Sequence, residues 1–475
     1  MNDRHIVIIG GGISGLSTAF FLSRKTAQEH LPLKITVLEA SDRFGGVLRT
    51  LTHESLSMEA GADAFYAGQN DTTDLCRELG LQEDLIEAAP CFRHFFYLKG
   101  KKPFSVPGFP DSIWNAVRFL SDPRVSVPIK CRMLWEPFIP RRKEKGDESF
   151  ANFIRRRLGQ GFYEKVAKPL VQSVYMIDPE ALSMEAMFPK LRQAESTHGS
   201  LTGSFLNKAI EKKPAEFLTL KQGLEGLTQA LVRELTGCED WPSRPRERAG
   251  TVDIPACEFR RSAPVRQCAY NAGWKISLED GTVLCADSLC LAMNACDSAK
   301  LLSRAAPELS RELLTLRYDS IATMNLIYRS GDIPARELDP GFLVPMDGER
   351  YPFSSLKWLG KTADGKGFFL RVFLSGTMMP EVFSEGDEAL KQKILAFLND
   401  FFDIRAQPLF IEVRRYPGAL PQYETGHLER VARIEEKVRQ YPGLYLTGNG
   451  FRGFGITDCI RQARVVAAEI FQKNL

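Results

Sequence analysis

The hydrophobic pattern of the first forty residues predicts a strand, a helix and a second strand. Ile6 to Ile9 form a continuous apolar run rich in β-branched residues, which is typical of a strand buried on both faces. The apolar residues from Leu16 to Leu22 recur at helical spacing, and a second apolar run, KITVLEA, ends in Glu39. This order predicts an α/β domain with a parallel sheet.

The pattern changes farther along the chain. Between residues 86 and 214 helical spacing dominates, as in SFANFIRRRLGQGFYEKVAKPLV. Between 296 and 424, strand-like runs such as SIATMNLIYR and GFFLRVFLSG predict a mostly antiparallel sheet. The run VLCADSLCLAM is expected to be a strand that returns to the first sheet, and a last helix is expected to begin near Gly455.

Length and composition set the broad class. A chain of 475 residues is too long for one ordinary core and indicates two or three domains. With 44% apolar and 25% charged residues it has the profile of a globular protein, and a net charge of +3 does not favour a nucleic-acid partner. No secretory signal precedes the first strand, and no run approaches the roughly 18 apolar residues of a spanning helix. We therefore expect a cytoplasmic protein.

The cysteines do not predict a metal site. The ten cysteines include no C-x-x-C pair, and the closest group is Cys285, Cys290 and Cys296. We interpret them as the thiols of a protein in a reducing compartment, and we expect no metal.

A glycine motif lies between the first strand and the first helix. Gly10, Gly12 and Gly15 fit G-x-G-x-x-G, in which the first glycine allows a tight turn, the second lets a pyrophosphate approach and the third lets helix and strand pack closely. The helix N-terminus offers free N–H groups to the phosphates. Glu39, at the tip of the second strand, is suited to an unphosphorylated ribose, which favours NAD or FAD over NADP.

The residues after Glu39 favour FAD. The stretch EASDRFGGVLRT places Arg43, Gly45 and Gly46 just beyond the acidic residue, where NAD-type dehydrogenases need no second glycine pair. The stretch MEAGADAFYAG, residues 58–68, is then expected to be a further flavin-contacting loop.

These motifs carry a family resemblance. GGGISGL, LEASDRFGG and GADAF resemble the FAD-containing amine oxidase superfamily, and nearly the whole chain is similar to the oxygen-dependent protoporphyrinogen and coproporphyrinogen III oxidases of haem biosynthesis. The C-terminal stretch PGLYLTGNGFRGFGITDCI is part of that likeness. The resemblance implies that FAD lies between two glycine-rich elements, and that the last helix points its N–H groups at the reduced flavin.

The resemblance also implies a domain organisation. The expected class is α/β, with a Rossmann-like FAD-binding domain built from residues 1–85, 215–295 and 425–475. A helical domain at 86–214 and a mixed or antiparallel substrate-binding domain at 296–424 complete it. The expected cofactor contacts are Gly10, Gly11, Gly12, Ile13, Ser14, Gly15, Glu39, Ala40, Arg43, Gly45, Gly46, Gly61, Ala62, Asp63, Ala64, Val265, Tyr416, Gly448, Asn449, Gly455, Ile456 and Thr457.

The substrate pocket is expected to be flat and apolar. By resemblance, Leu343 and Phe373 sandwich a macrocycle, and Ser173, Met176 and Ile177 line the pocket where the family carries small residues. Some members have a propionate-binding arginine at the position of Asp63, which is absent here. We identify no catalytic acid or base, and His427 is expected to be structural.

The implied activity is oxidation of a porphyrinogen by O2, and coproporphyrinogen III is favoured slightly over protoporphyrinogen IX. Two alternatives stay open: an amine oxidase or carotenoid-type desaturase, and a non-catalytic binding protein similar to the GDP-dissociation inhibitors. The basic, aromatic stretches at residues 92–120 and MLWEPFIPRRKEKG indicate either peripheral contact with an anionic membrane or the mouth of the active site. Residues 237–264 are expected to form a surface loop.

Overall fold

The computed structural model describes residues 4–31, 33–53, 56–88, 95–99, 102–105, 120–123, 125–201, 217–237, 257–333, 341–345, 351–361, 365–376 and 379–474. Most of the stretches 92–120 and 237–264 therefore lies outside the described residues. The prediction of a surface loop is wrong for Glu258–Arg260, which form an edge strand of the parallel sheet. Among the helices in the described part, none combines the length and the apolar composition needed to cross a bilayer.

The described strands are numbered along the chain. They are β1 (Arg4–Ile9), β2 (Leu33–Leu38), β3 (Thr50–His53), β4 (Leu56–Glu59), β5 (Phe65–Tyr66), β6 (Leu85–Glu87), β7 (Phe95–Lys99), β8 (Lys102–Ser105), β9 (Phe217–Leu220), β10 (Glu258–Arg260), β11 (Val265–Tyr270), β12 (Trp274–Leu278), β13 (Val283–Ala286), β14 (Ser288–Leu291), β15 (Arg317–Arg329), β16 (Gly341–Pro345), β17 (Ser355–Lys361), β18 (Gly367–Ser375), β19 (Phe410–Gln422) and β20 (Leu444–Leu446).

The α-helices are named by their bounds. They are Ile13–Gln28, Asp71–Glu78, Val127–Trp135, Phe150–Leu158, Gln160–Phe162, Lys168–Tyr175, Met184–Met187, Pro189–His198, Glu225–Thr236, Ala295–Leu302, Pro307–Leu313, Asp387–Phe402, His427–Val438 and Ile456–Asn474.

A five-stranded parallel sheet, in the order β10-β2-β1-β14-β20, joins strands from distant parts of the chain. Its middle strand carries the apolar run Ile6–Ile9, which is at most 4% exposed because other elements cover both faces. Helix Ile13–Gln28 follows β1, helix Ile456–Asn474 follows β20, and the two helices pack together. Since parallel strands have their carboxyl ends at one edge, both helices begin at that edge.

A seven-stranded sheet, in the order β19-β15-β18-β17-β16-β7-β8, forms the second layer. Its pairings are antiparallel except for β16 with β7. One face packs against helix Asp387–Phe402 in a core that includes Met324 and Trp358. The other face meets residues 58–63, where Ile327 packs with Met58 and Ala60.

The helices between residues 127 and 201 pack on their own apolar cluster, which includes Phe153 and Leu182. Beneath it, the fully buried guanidinium of Arg157 pairs with the buried carboxylate of Glu136. Arg157 also donates to the carbonyl oxygens of Ile139 at 2.9 Å and Gly199 at 2.8 Å, so its charge is well solvated by protein.

The structure confirms the α/β class and the main strand predictions, with one change. The run VLCADSLCLAM forms two strands, β13 and β14, instead of one, since β13 pairs with β12 in a separate antiparallel sheet whereas β14 pairs with β1 and β20. Only β14 joins the parallel sheet. The division into three domains stays a prediction, and β7 and β8 of the large sheet come from the segment in which helical spacing dominates.

Candidate active site

The first and third glycines of the N-terminal motif are required by chain packing. Gly10 has φ +112°, and a Cβ there would lie 2.4 Å from the Ala292 carbonyl oxygen. A Cβ on Gly15 would lie 1.9 Å from the carbonyl oxygen of Gly10, which no side chain could accommodate without a backbone shift. These two glycines let the first helix start close to the strand edge.

Gly12 is not required by the chain itself. Its φ of −80° and ψ of −176° suit any residue, and a Cβ there would meet only the Cα of Gly46, at 3.9 Å. The space beside Gly12 therefore fits a group outside the polypeptide, which is the role that the motif assigns to a pyrophosphate. The residues at this turn therefore fit a dinucleotide.

The N-terminus of the first helix is suited to an anion. Gly12 caps the helix without a side-chain hydrogen bond, and the first turn contains no acidic residue. Ile13, Ser14 and Gly15 are buried residues of this turn, and the N–H groups of a first turn have no acceptor within the helix. A buried helix start of this kind binds phosphate readily.

Glu39 is fixed beside the glycine turn. Its carboxylate accepts the N–H of Gly11 at 2.8 Å, and the N–H and hydroxyl of Ser41 at 2.8 and 2.7 Å. Ala40 is exposed next to it. The Glu39 carbonyl accepts the N–H of Ala263, which brings the start of β11 at Val265 to the same side of the sheet.

Arg43 braces the loop that it belongs to. Its guanidinium donates to the carbonyl oxygens of Gly46 at 2.8 Å and Leu48 at 2.6 Å. Gly45 pairs with the glycine turn, since its N–H donates to the Gly11 carbonyl at 2.8 Å. The structure thus places Arg43, Gly45 and Gly46 at the first helix start, with the arginine donors used within the protein.

The C-terminal glycine stretch reaches the same edge of the sheet. Gly448 has φ +138°, and Asn449 donates from Nδ2 to the Ala419 carbonyl at 3.0 Å. The last helix begins at Ile456, and Gly455 donates its N–H to the Asp458 carboxylate at 3.3 Å. The buried Thr457 hydroxyl donates to the Tyr66 carbonyl at 3.0 Å.

Tyr423 and His427 hold this stretch in place. Their rings stack with centroids 3.7 Å apart. The Tyr423 hydroxyl donates to the Asn449 carbonyl at 2.8 Å and accepts the Gly453 N–H at 2.9 Å. Burial lowers the pKa of His427 to about 4, so its ring is neutral near pH 7 and packs as a structural residue.

The loop 59–64 lies against the large sheet. A Cβ on Gly61 would lie 1.8 Å from the Val47 carbonyl oxygen, so only glycine fits. Thr323 on β15 donates to the Ala60 carbonyl at 2.8 Å. Ala62 and Ala64 flank Asp63 on this loop, immediately before β5.

Asp63 forms a buried ion cluster that the sequence did not predict. Its carboxylate is bonded to the Lys357 ammonium and lies 3.1 Å from Arg371 Nη1, and both basic side chains are 2% exposed. Burial alone would raise the pKa of Asp63, but the charges of Lys357 and Arg371 outweigh it and hold the pKa below its usual range. The available signals were Lys357 in the stretch SSLKWLG and Arg371 in the apolar strand GFFLRVFLS.

Tyr416 lies on the same side of the sheet, on β19. Its phenol oxygen is buried and finds no hydrogen-bond partner among the described residues. It would lie 3.8 Å from a Cβ on Gly61, so an unsatisfied polar atom faces the predicted flavin loop. Burial raises the pKa of Tyr416.

The expected substrate residues separate into two groups. Ser173, Met176 and Ile177 are buried in the helical region, and Phe373 packs against the apolar cluster that contains Ile177. Leu343 lies in the core on the opposite face of the large sheet, beside helix Asp387–Phe402. The structure therefore does not bring Leu343 and Phe373 together around one planar ligand, because register puts alternate residues of a strand on opposite faces.

The described residues hold no group of His, Cys, Asp or Glu arranged to bind a metal. They place both glycine elements, Glu39, the loop 59–64 and the ion cluster around the meeting of the two main sheets. A dinucleotide fits the two glycine elements, Glu39 and the loop 59–64.

Comparison with known proteins places the chain among flavin-containing oxidoreductases, in agreement with a dinucleotide site at this sheet edge. The sequence profile of the family described as "Flavin containing amine oxidoreductase" matches residues 13–471. The chain is 27% identical to a coproporphyrinogen III oxidase of Bacillus subtilis (strain 168), over 98% of this chain and 97% of that protein. It is 29% identical to a protoporphyrinogen oxidase of Bos taurus, over 98% of each.

Solved structures show the same fold. A crystal structure described as a protoporphyrinogen oxidase of Exiguobacterium sp. 255-15 superposes with a TM-score of 0.83 and 25% identity, over 100% of both chains. Cyclohexylamine oxidase from Brevibacterium oxydans IH-35A superposes with a TM-score of 0.68 and 14% identity, over 99% of both.

Proposed function

Because the chain belongs to the family of flavin-containing amine oxidoreductases, we propose that it oxidises a porphyrinogen to a porphyrin in haem biosynthesis, with O2 as the terminal electron acceptor. The protein is an oxidoreductase, and FAD is its cofactor. The substrate class is supported by relatives that match nearly their whole length and are named for coproporphyrinogen III or protoporphyrinogen.

The single observation that carries the flavin site is the space beside Gly12 at a buried helix start without a side-chain cap. In this proposal the parallel sheet is a Rossmann-like FAD-binding domain. Gly10 to Gly15 hold the pyrophosphate, Glu39 holds the ribose of the adenosine, and Val265 lies toward the adenine. Gly448, Asn449 and the start of the last helix lie toward the flavin end.

The chain's own residues position the reactants. FAD, when bound, supplies a hydride acceptor, and three two-electron cycles remove the six electrons that separate a porphyrinogen from a porphyrin. The N-terminus of helix Ile456–Asn474 supplies positive potential to the flavin end of the proposed cofactor site. Ile177, in the apolar cluster of the helical region, and Phe373, which packs against that cluster, supply apolar surface where the helical region meets the large sheet.

Between the two substrates we favour coproporphyrinogen III. Three bacterial relatives that cover at least 98% of this chain are named coproporphyrinogen III oxidase, from Bacillus, Propionibacterium and Staphylococcus. The absence of an arginine at Asp63 agrees with this preference.

The test is aerobic turnover of each porphyrinogen by the yellow holoprotein, followed by porphyrin fluorescence and peroxide release. We expect fluorescence with both and a higher kcat/KM with coproporphyrinogen III. No fluorescence with either substrate, together with peroxide release from polyamines, would replace this function by that of an amine oxidase.

We also propose that the protein is cytoplasmic and associates peripherally with membrane surfaces. Val127, Leu134, Trp135 and Phe138 are 62–73% exposed on one helix and the turn after it. Basic residues of the segment RRKEK follow within a few positions. Aromatic and basic residues in this arrangement bind anionic lipid surfaces. Sedimentation with anionic vesicles should fall on Trp135→Glu, and no change in binding would favour the alternative that the patch borders the active-site mouth.

A further inference from the structure

One row of residues crosses three strands of the large sheet on the face that meets loop 59–64. Register pairs Ser355 on β17 with Phe373 on β18, and Phe373 with Thr323 on β15. The Thr323 hydroxyl donates to the Ala60 carbonyl of the loop at 2.8 Å. Residues directly opposite each other in a sheet have their side chains on the same face. Ser355 and Phe373 therefore share the face that carries the predicted flavin loop.

The hydroxyl of Ser355 is buried and unpartnered. The residue is 0% exposed, and its Oγ has no hydrogen-bond partner among the described residues. The neighbouring Ser354 is different, because its Oγ accepts the N–H of Ser375 at 2.9 Å. A buried polar atom without a partner costs free energy, and nearly all such atoms in native proteins are hydrogen-bonded. The Ser355 hydroxyl is therefore a candidate contact for a ligand.

The register partner of Ser355 offers an aromatic surface. Phe373 packs against the apolar cluster of the helices between residues 127 and 201, which contains Ile177. Although it lies between these helices and the sheet, Phe373 is only partly buried, so part of its surface stays accessible. An accessible ring beside a buried hydroxyl is suited to a flat apolar ligand with a hydrogen-bonding group among its apolar atoms.

A porphyrinogen has such a group at its centre. Each of its four pyrroles carries an N–H, and the methylene bridges let the pyrrole rings tilt, so that several N–H groups converge on an acceptor at one face of the macrocycle. Oxidation conjugates the bridges and flattens the macrocycle, and the N–H groups that remain in the porphyrin lie in the plane of the ring. A hydroxyl oxygen has two acceptor sites and can serve the tilted N–H groups of the substrate. An acceptor below the ring therefore distinguishes substrate from product.

We propose that Ser355 holds the porphyrinogen by accepting pyrrole N–H hydrogen bonds at Oγ, while the macrocycle lies against Phe373. The inference rests on the proposed function and adds a substrate contact to it. One strand separates Ser355 from Thr323, so the hydroxyl lies roughly 10 Å, or two strand spacings, from the strand that holds the predicted flavin loop. This spacing lets the centre of the macrocycle lie at Ser355 while one methylene bridge is directed toward that loop.

A pyrrole N–H fits the site better than a propionate of the substrate. A buried carboxylate needs a charged partner, and a single neutral hydroxyl is a weak one. Lys357, two residues along β17, is already bonded to Asp63. A neutral N–H needs only an acceptor, which Ser355 provides. Because the contact depends on tilted pyrroles, it is lost as the ring flattens, and this favours release of the porphyrin.

The experiment is steady-state oxidation of coproporphyrinogen III by the holoprotein, followed by O2 uptake, with coproporphyrin III as an added inhibitor. Ser355→Ala should raise the KM for coproporphyrinogen III about three- to tenfold, as expected for the loss of one hydrogen bond. The inhibition constant of coproporphyrin III should stay unchanged. Ser354→Ala is the matched control, since it removes a neighbouring buried hydroxyl and should leave both constants unchanged.

Thermal unfolding without substrate gives a second readout. Ser355→Ala should be at least as stable as wild type, because it removes a buried hydroxyl that has no partner in the protein. Ser354→Ala should be less stable than wild type, because it removes an acceptor of the Ser375 N–H. The two variants thus differ in opposite ways in stability and in KM.

Three results would overturn the proposal. An unchanged KM in Ser355→Ala would show that the hydroxyl does not touch the substrate. A KM and an inhibition constant that rise by the same factor would assign the hydroxyl to a propionate, which coproporphyrinogen III and coproporphyrin III both carry. A Ser355→Ala protein that is less stable than wild type by as much as Ser354→Ala would give the hydroxyl a structural role. If the wild-type holoprotein oxidises neither porphyrinogen, the proposed function itself is refuted, and this inference with it.

Discussion

Replacing Gly12 by alanine should separate flavin binding from folding. The backbone at Gly12 is extended, with φ −80° and ψ −176°, and the added Cβ would meet only Gly46 Cα at an ordinary contact distance of 3.9 Å. At such a position the substitution stabilises the flavin-free protein by about 0.4–1 kcal/mol, because the unfolded chain has less freedom to lose. The methyl group occupies the space that we assign to the pyrophosphate, so FAD affinity should fall.

Gly15→Ala is the matched control with the opposite outcome. Its Cβ would lie 1.9 Å from the Gly10 carbonyl oxygen and 3.2 Å from Ala292 Cβ, so the first helix must move away from the strand. Overpacking of this kind costs about 1–3 kcal/mol even without ligand. The flavin-free Gly15→Ala protein should therefore be less stable than wild type, whereas flavin-free Gly12→Ala should not be.

The assay compares thermal unfolding with and without FAD. Wild-type protein at a free FAD concentration a hundred times its Kd gains about 2.7 kcal/mol, and Gly12→Ala should lose most of that gain. The larger Gly12→Val should purify colourless and inactive with its helical content kept. Gly12→Ala that binds FAD with wild-type affinity would refute the assignment of the pyrophosphate to this turn.

Three further predictions concern residues away from the glycine turn. Burial raises the pKa of Glu59 from 4.5 to about 7 in the folded protein. Its contribution to the free energy of unfolding is therefore complete below pH 4.5 and is lost, by up to about 3 kcal/mol, as the pH rises through 7. In urea unfolding at pH 5–8, Glu59→Gln should flatten this pH dependence. Arg157→Met should cost about 3–5 kcal/mol in the same assay, since the buried Glu136 loses its charged partner, and a loss under 1 kcal/mol would contradict this. Tyr423→Phe should lower the free energy of unfolding by about 1 kcal/mol and reduce the FAD retained on dialysis, because it removes the hydrogen bond to the Asn449 carbonyl and keeps the aromatic ring. Full retention of FAD would show that the Tyr423 hydroxyl does not position the C-terminal glycine stretch.

Local spacing was enough to predict the strand, glycine turn and helix at the N-terminus and the acidic residue at Glu39. Each of these depends on residues close in sequence, and the glycines report conformations that few other residues adopt. The resemblance extended this prediction to the C-terminal helix start, which the structure brings to the same sheet edge.

The buried ion cluster of Asp63, Lys357 and Arg371 could not be predicted from local spacing. Lys357 meets Asp63 across a sequence separation of 294 residues, and only the register of β17 on β18 puts Lys357 opposite Arg371. The face of the large sheet on which Leu343 lies also depends on strand register, because a shift of one residue moves every side chain of a strand to the opposite face. Pairing of distant strands, and not local pattern, decides both.

The parallel sheet also sets the order in which the protein can be completed during synthesis. Its middle strand, β1, ends at residue 9, and β20 starts at residue 444. At about 5–20 residues per second, a ribosome needs on the order of 20–90 s between the two strands. Until β14 emerges, the apolar run Ile6–Ile9 has only β2 as a strand neighbour in this sheet. The nascent chain must keep that strand from aggregating for most of its translation, and the edge that we propose binds FAD forms only when the last helix has left the ribosome.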